Sequence, residues 1–149
     1  MIVPDANLLL YAHDDTSPFF EPARRWWERC LNGAEPVGLC PAVVFAFVRI
    51  ATNPRVYAEP LSLAEARAHV HRWHERRVTR ALLAGEDHHV RALDLLRAAG
   101  AAGGNLVTNA QIAAIALEHR AEVHAADQDF RRFPSLSCRF PLQEDDPKG

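Results

Sequence analysis

The sequence predicts one α/β domain built on a mainly parallel sheet. Two observations carry this. Short apolar stretches of strand type alternate with longer amphipathic stretches along the chain. The 149 residues, 48% hydrophobic and 24% charged, hold enough apolar material for one core and scarcely for two. No repeat or low-complexity tract divides them. Residues 1–142 are therefore expected to form the domain, and residues 143–149 a polar, acidic tail that frays.

Ile2-Val3 reads as a short buried strand that runs into Asp5 and then into an apolar helix containing Leu8-Leu9-Leu10-Tyr11-Ala12. Ser17-Pro18 supplies a cap and a proline for a second helix reaching Asn32-Gly33. Val37-Gly38-Leu39 is the next strand. Pro41 opens an apolar helical segment that Thr52-Asn53-Pro54 stops. Ser62 and Glu65 form a capping box for a helix reaching about Glu75. Residues 78–83 read equally as strand or loop. Residues 86–99 have helical spacing and end at Gly100. Thr108 and Gln111 read as a second capping box, with the helix opening at Asn109 and Ala110, Ala113, Ala114 and Leu117 on one face. Residues 121–125 form a strand leading to Asp127, and a last short strand lies around residues 137–140.

Composition narrows the function classes. The net charge is −2, so bulk charge does not mark a nucleic-acid binder and an anionic substrate has to be met by a local patch. No apolar run reaches the ~20 residues of a membrane span. The first residues lack the basic flank and long apolar stretch of a signal peptide. Cys30, Cys40 and Cys138 form no C-x-x-C pair, which points to a reducing cytoplasm. A soluble, cytoplasmic protein is expected.

In a parallel sheet, ligands gather at the carboxyl ends of the strands. Asp5 follows the first strand, Asp127 and Asp129 follow the strand at 121–125, and Asn109 sits at a helix start. Four oxygen-bearing side chains converging there suit a hard cation such as Mg²⁺ or Mn²⁺, whereas zinc would want histidine or cysteine. The structural alternative makes Asp5 a helix cap and Asp127 and Asp129 turn formers. An aspartate-nucleophile phosphatase is disfavoured, because Asp5 is followed by Ala6-Asn7 without an aspartate two residues on.

The segment Pro4-Asp5-Ala6-Asn7-Leu8-Leu9-Leu10-Tyr11-Ala12 resembles the opening of PIN domains. Phe47-Val48-Arg49-Ile50-Ala51-Thr52-Asn53-Pro54-Arg55-Val56, Asn105-Leu106-Val107-Thr108-Asn109-Ala110-Gln111-Ile112-Ala113-Ala114 and Ala126-Asp127-Gln128-Asp129-Phe130, followed by Phe133-Pro134, resemble segments of the bacterial VapC-type toxins in the same order. The resemblance implies a three-layer α/β/α PIN-like domain and a Mg²⁺-dependent endoribonuclease, with Mn²⁺ as a substitute. It implies the toxin half of a toxin–antitoxin pair, held by a VapB-type antitoxin, acting on RNA and assembling as a homodimer or a toxin–antitoxin hetero-oligomer. Its metal and catalytic positions map to Asp5, Asn109, Asp127 and Asp129. Two departures stand out: Asn109 replaces the aspartate of the V-T-D-A motif, and Ala46 stands where many PIN domains carry a glutamate. The first removes a charge from the metal centre. The alternative is a catalytically impaired chain that binds antitoxin or RNA without cutting.

Asn7, Arg49 and Asn53 are candidate substrate contacts. Arg49, on an otherwise apolar helix, must be paired with an acid such as Asp5 or Asp127, or must point into a cleft. Arg72, Arg76, Arg77 and Arg80 read either as an RNA grip with Trp73 or as a solvated helix end. His69, His71 and His74 make a poor zinc site, because residues two apart face different sides of a helix. Of Trp26 and Trp27, one is expected in the core and the other exposed; together with Phe45 they are candidate surface for the antitoxin.

Overall fold

The computed structural model describes residues 1–101 and 103–143. Five parallel strands form one sheet in the order β3-β2-β1-β4-β5: β1 (Ile2–Pro4), β2 (Val37–Leu39), β3 (Thr79–Ala81), β4 (Glu122–His124) and β5 (Cys138–Arg139). The helices are α1 (Ala6–His13), α2 (Phe20–Asn32), α3 (Pro41–Ala51), α4 (Leu63–His74), α5 (His88–Ala98) and α6 (Leu106–Glu118). β1 and β2 are buried at every position, so helices cover both faces of the sheet, as parallel strands require. This is the expected α/β/α architecture. The expected tail lies outside the described residues from position 144 onward. No described helix is long and apolar enough to cross a membrane.

The topology decides where a site can form. From β1 the chain moves through α1 and α2 to β2, on one side, whereas β4 leads to β5 on the other. The strand order therefore reverses between β1 and β4, and a crevice opens beyond their carboxyl ends. Pro4 pairs with His124, and the Asp5 amide donates to the His124 carbonyl at 2.8 Å. Asp5 and the segment leading to Asp127 thus leave the sheet side by side.

Several local expectations hold. Ser62 and Glu65 form both bonds of the capping box. Gly100 ends the helix before it with φ +68°, a conformation that favours glycine. Of residues 78–83, which read equally as strand or loop, residues 79–81 form the edge strand β3. The second capping box does not exist: α6 begins at Leu106 behind Asn105, without a side-chain cap, so Thr108 lies inside the first turn. The turn before it is made by Gly103 and Gly104, both at positive φ. α2 begins at Phe20, because Ser17 caps a preceding turn by accepting the Phe19 amide.

Both tryptophans of α2 are buried, contrary to the expectation of one at the surface. Trp27 packs edge-on against Trp73. Trp26 Nε1 donates to His124 Nδ1 at 3.0 Å, which leaves the ring proton on Nε2, 3.0 Å from Glu122 Oε1. Burial holds His124 below the usual histidine value, and the neutral ring fits this relay. Trp26→Phe is expected to orphan a buried acceptor and cost about 2 kcal/mol. Thermal unfolding should show a loss of roughly 4–8 °C. An unchanged melting temperature would mean the relay adds no stability.

Candidate active site

Asp5 stands at the N-cap position of α1 with its side chain making no cap bond. It is 4% exposed, and its Oδ2 is buried with no hydrogen-bond partner. Burial pushes its carboxyl up from the ordinary 3.8 to about 7, and the charge of Asp127 pushes in the same direction. The backbone amides of Ala6, Asn7 and Ala126 act the other way, with less effect. A buried acid held this way is a common mark of a functional site.

Asp127 is fixed at both oxygens. Its Oδ1 accepts from the Asp129 amide at 2.9 Å, which caps the short 3-10 turn Gln128–Arg132. Its Oδ2 accepts from Asn109 Nδ2, also at 2.9 Å. Asn109 is buried on α6, as are Ala110, Ile112 and Ala113. The fold therefore brings Asp5, Asn109 and Asp127 to one place, at the point where the strand order reverses. The carboxylate of Asp129 is half exposed at the rim, 3.9 Å from Arg132 Nη1.

The donor set can be tested against a hard cation. Among the described residues, no group of three or more histidine, cysteine, aspartate or glutamate side chains is placed to hold a metal ion. What is present is two carboxylates and one amide, all oxygen donors, with an orphaned buried oxygen on Asp5 and repulsion between the acids. Both features are relieved by a cation, so the set fits Mg²⁺ or Mn²⁺ with fewer charges than a full acidic cluster.

The titration of Asp5 gives a prediction. The folded state holds this proton more tightly than the unfolded chain, so stability is fullest below pH ~4 and is lost as pH rises to about 7. In chelator the melting temperature should fall across that window, by the equivalent of at most ~4 kcal/mol, and level off above it. Added Mg²⁺ should restore stability above pH 7 and have little effect at pH 5. Equal Mg²⁺ stabilisation at both pH values would place Asp5 outside the ligand set.

The other candidates separate. Asn7 is half-buried on the first turn beside Asp5. Arg49 is exposed and makes no ion pair among the described residues; it lines a cleft instead, so the pairing with Asp5 or Asp127 does not occur. Asn53 lies past the far end of α3, and its Oδ1 accepts the Arg55 amide in a local turn. Arg76 and Arg80 bond to neighbouring carbonyls and to Asn32, as at a helix end. Arg72 contacts His69. The cleft that Arg49 lines also draws on Phe45, His88, Thr108 and Gln111; the sequence marks Thr108 and Gln111 only as a capping box and Phe45 only as candidate antitoxin surface.

A parallel α/β/α domain that gathers acids where its strand order reverses places them where sheets of this kind bind ligands. The PIN domain family profile matches residues 2–136. Ribonuclease VapC33 of Mycobacterium tuberculosis is 43% identical over 144 residues, which cover 97% of this chain and 100% of the relative. Ribonuclease VapC37 of the same organism is 37% identical, covering 95% and 97%. The solved structure of VapBC2 from Rickettsia felis bound to a promoter DNA fragment shares the fold, with a TM-score of 0.66 at 14% identity over 93% of this chain and 98% of that one. The chain belongs to the PIN domain family and, within it, to the VapC ribonucleases.

Proposed function

We propose that the protein is a divalent-metal-dependent endoribonuclease and the toxin of a toxin–antitoxin pair. The observation that carries this is the buried Asp5 carboxyl, with its Oδ2 unpartnered, near the Asn109–Asp127 pair, in a chain 43% identical to a named ribonuclease. Asp5, Asp127 and the amide oxygen of Asn109 would hold Mg²⁺, or Mn²⁺ in its place. The bound cation supplies polarisation of the phosphate and a lowered pKa for the attacking water. The Asp129 amide and Asn109 keep Asp127 in one orientation. Asp129, at the rim, would hold the ion through water or take up the proton of the attacking water. Arg49 offers positive charge to the RNA backbone, and Asn7 a hydrogen bond near the scissile phosphate.

The free thiols Cys30, Cys40 and Cys138 suit a reducing cytoplasm. Residues 1–142 act as the single domain. A VapB-type antitoxin or a second copy would find apolar surface at Leu83, Val90 and Leu93, which are 75%, 63% and 64% exposed. A second reading, binding without cutting, is favoured by one feature: Asn109 leaves the cluster one charge short. Incubation of RNA with the protein in Mg²⁺, Mn²⁺ or chelator separates the two. Metal-restored, chelator-abolished cleavage supports the enzyme; RNA binding without cleavage in either metal supports the second reading.

A further inference from the structure

We propose that the cleft of about 350 Å³ between α3 and α6 is a subsite for one unstacked nucleobase of single-stranded RNA. The inference rests on the nuclease reading and adds how the substrate is chosen. The cleft opens at the same edge of the sheet as the acidic site: Cys40 follows β2 as Asp5 follows the neighbouring β1, and Thr108 and Gln111 lie on α6, the helix that carries Asn109. Its outer wall carries Phe45, an aromatic ring 70% exposed on a helix whose other face buries Val43, Ala46, Phe47 and Ala51. RNA is read on bases splayed out of the stack, set on aromatic rings and hydrogen-bonded along their edges.

The polar groups match that task. The Gln111 amide can both donate and accept, the Thr108 hydroxyl likewise, and neither makes a side-chain hydrogen bond among the described residues. Arg49 lies on the same wall as Phe45 and is likewise without an ion pair among the described residues, so a cation stands where the phosphate of a seated nucleotide would pass. An antitoxin segment or second copy would use the apolar wall but would leave the Gln111 amide without a purpose. A base uses the ring, the amide and the cation together.

The test is equilibrium binding of fluorescein-labelled RNA octamers, each of a single base type, to the full chain in chelator, where no strand is cut. The wild type should discriminate between the octamers. Gln111→Ala should compress that spread to less than twofold with little change in mean affinity. Phe45→Ala should weaken every octamer by about five- to tenfold, and Phe45→Tyr should restore binding. Circular dichroism confirms folding, and both side chains are solvent-accessible, so unfolding is not expected. Unchanged affinities in Phe45→Ala with an unchanged spread in Gln111→Ala overturn the subsite. So does the absence of octamer binding by the wild type, or a Phe45→Ala effect confined to oligomeric state in light scattering. Base discrimination retained in a protein that never cleaves RNA with Mg²⁺ would instead overturn the nuclease reading and leave the subsite standing.

Discussion

Asp5→Asn should abolish RNA cleavage while making the metal-free protein more stable at pH 8. The two effects have one cause. Asp5 is 4% exposed with an unpartnered oxygen, and burial together with the charge of Asp127 pushes its carboxyl up to about 7. At pH 8 it is ionised in a place that resists charge. Asparagine keeps the shape and removes that charge, so the folded state should gain a few kcal/mol, up to ~4, in chelator. The same change deletes a charged donor to the cation. Loss of a group that merely supports a metal ligand costs about 10- to 100-fold, and loss of the ligand's charge should cost more. Chemical denaturation in chelator and cleavage in Mg²⁺ read the two effects separately. A less stable, fully active Asp5→Asn would make Asp5 structural.

Asn109→Asp should act in the opposite direction. Asn109 Nδ2 now donates to Asp127 Oδ2 at 2.9 Å. Aspartate replaces that donor with a second carboxylate at contact distance, where like charges repel by ~4 kcal/mol at an effective dielectric of 20. In chelator the variant should be less stable above neutral pH. With Mg²⁺ the added charge faces a cation, and part of the repulsion is relieved. A net gain of ~1–2 kcal/mol would give about ten- to thirtyfold tighter metal binding, with higher cleavage activity. Calorimetric titration of Mg²⁺ into both forms measures it. Unchanged affinity would place position 109 outside the ligand set.

The sequence made some of this legible and hid the rest for physical reasons. Asp5 and Asp127 were readable because a short apolar strand ending in an acid marks a sheet edge locally. The convergence of Asn109 on them was expected too, but its direct hydrogen bond to Asp127 was not, because that bond joins α6 to a turn beyond β4. The start of α6 was misplaced because two glycines at positive φ do the work that a side-chain cap does elsewhere. Trp26 and Trp27 are adjacent in sequence, and a narrow apolar stripe would bury one of them. Instead Trp26 reaches His124 on the sheet and Trp27 reaches Trp73 on α4, so the buried face of α2 is wide. Arg49 leaves two readings open because its helix is apolar, a buried ion pair or a place in a cleft; it sits on the exposed side of α3, lining the cleft.

The chemistry of the cut ends tests the central claim most directly. On the proposed reading, Asp5, Asn109 and Asp127 would hold a cation that activates water, so the ribose 2′-hydroxyl would take no part in the cut. Mass spectrometry of RNA cut by the wild type in Mg²⁺ should therefore find linear phosphate and hydroxyl ends, with none formed in chelator and none by Asp5→Asn. Cyclic 2′,3′-phosphate ends, or cleavage that persists without metal, would contradict it.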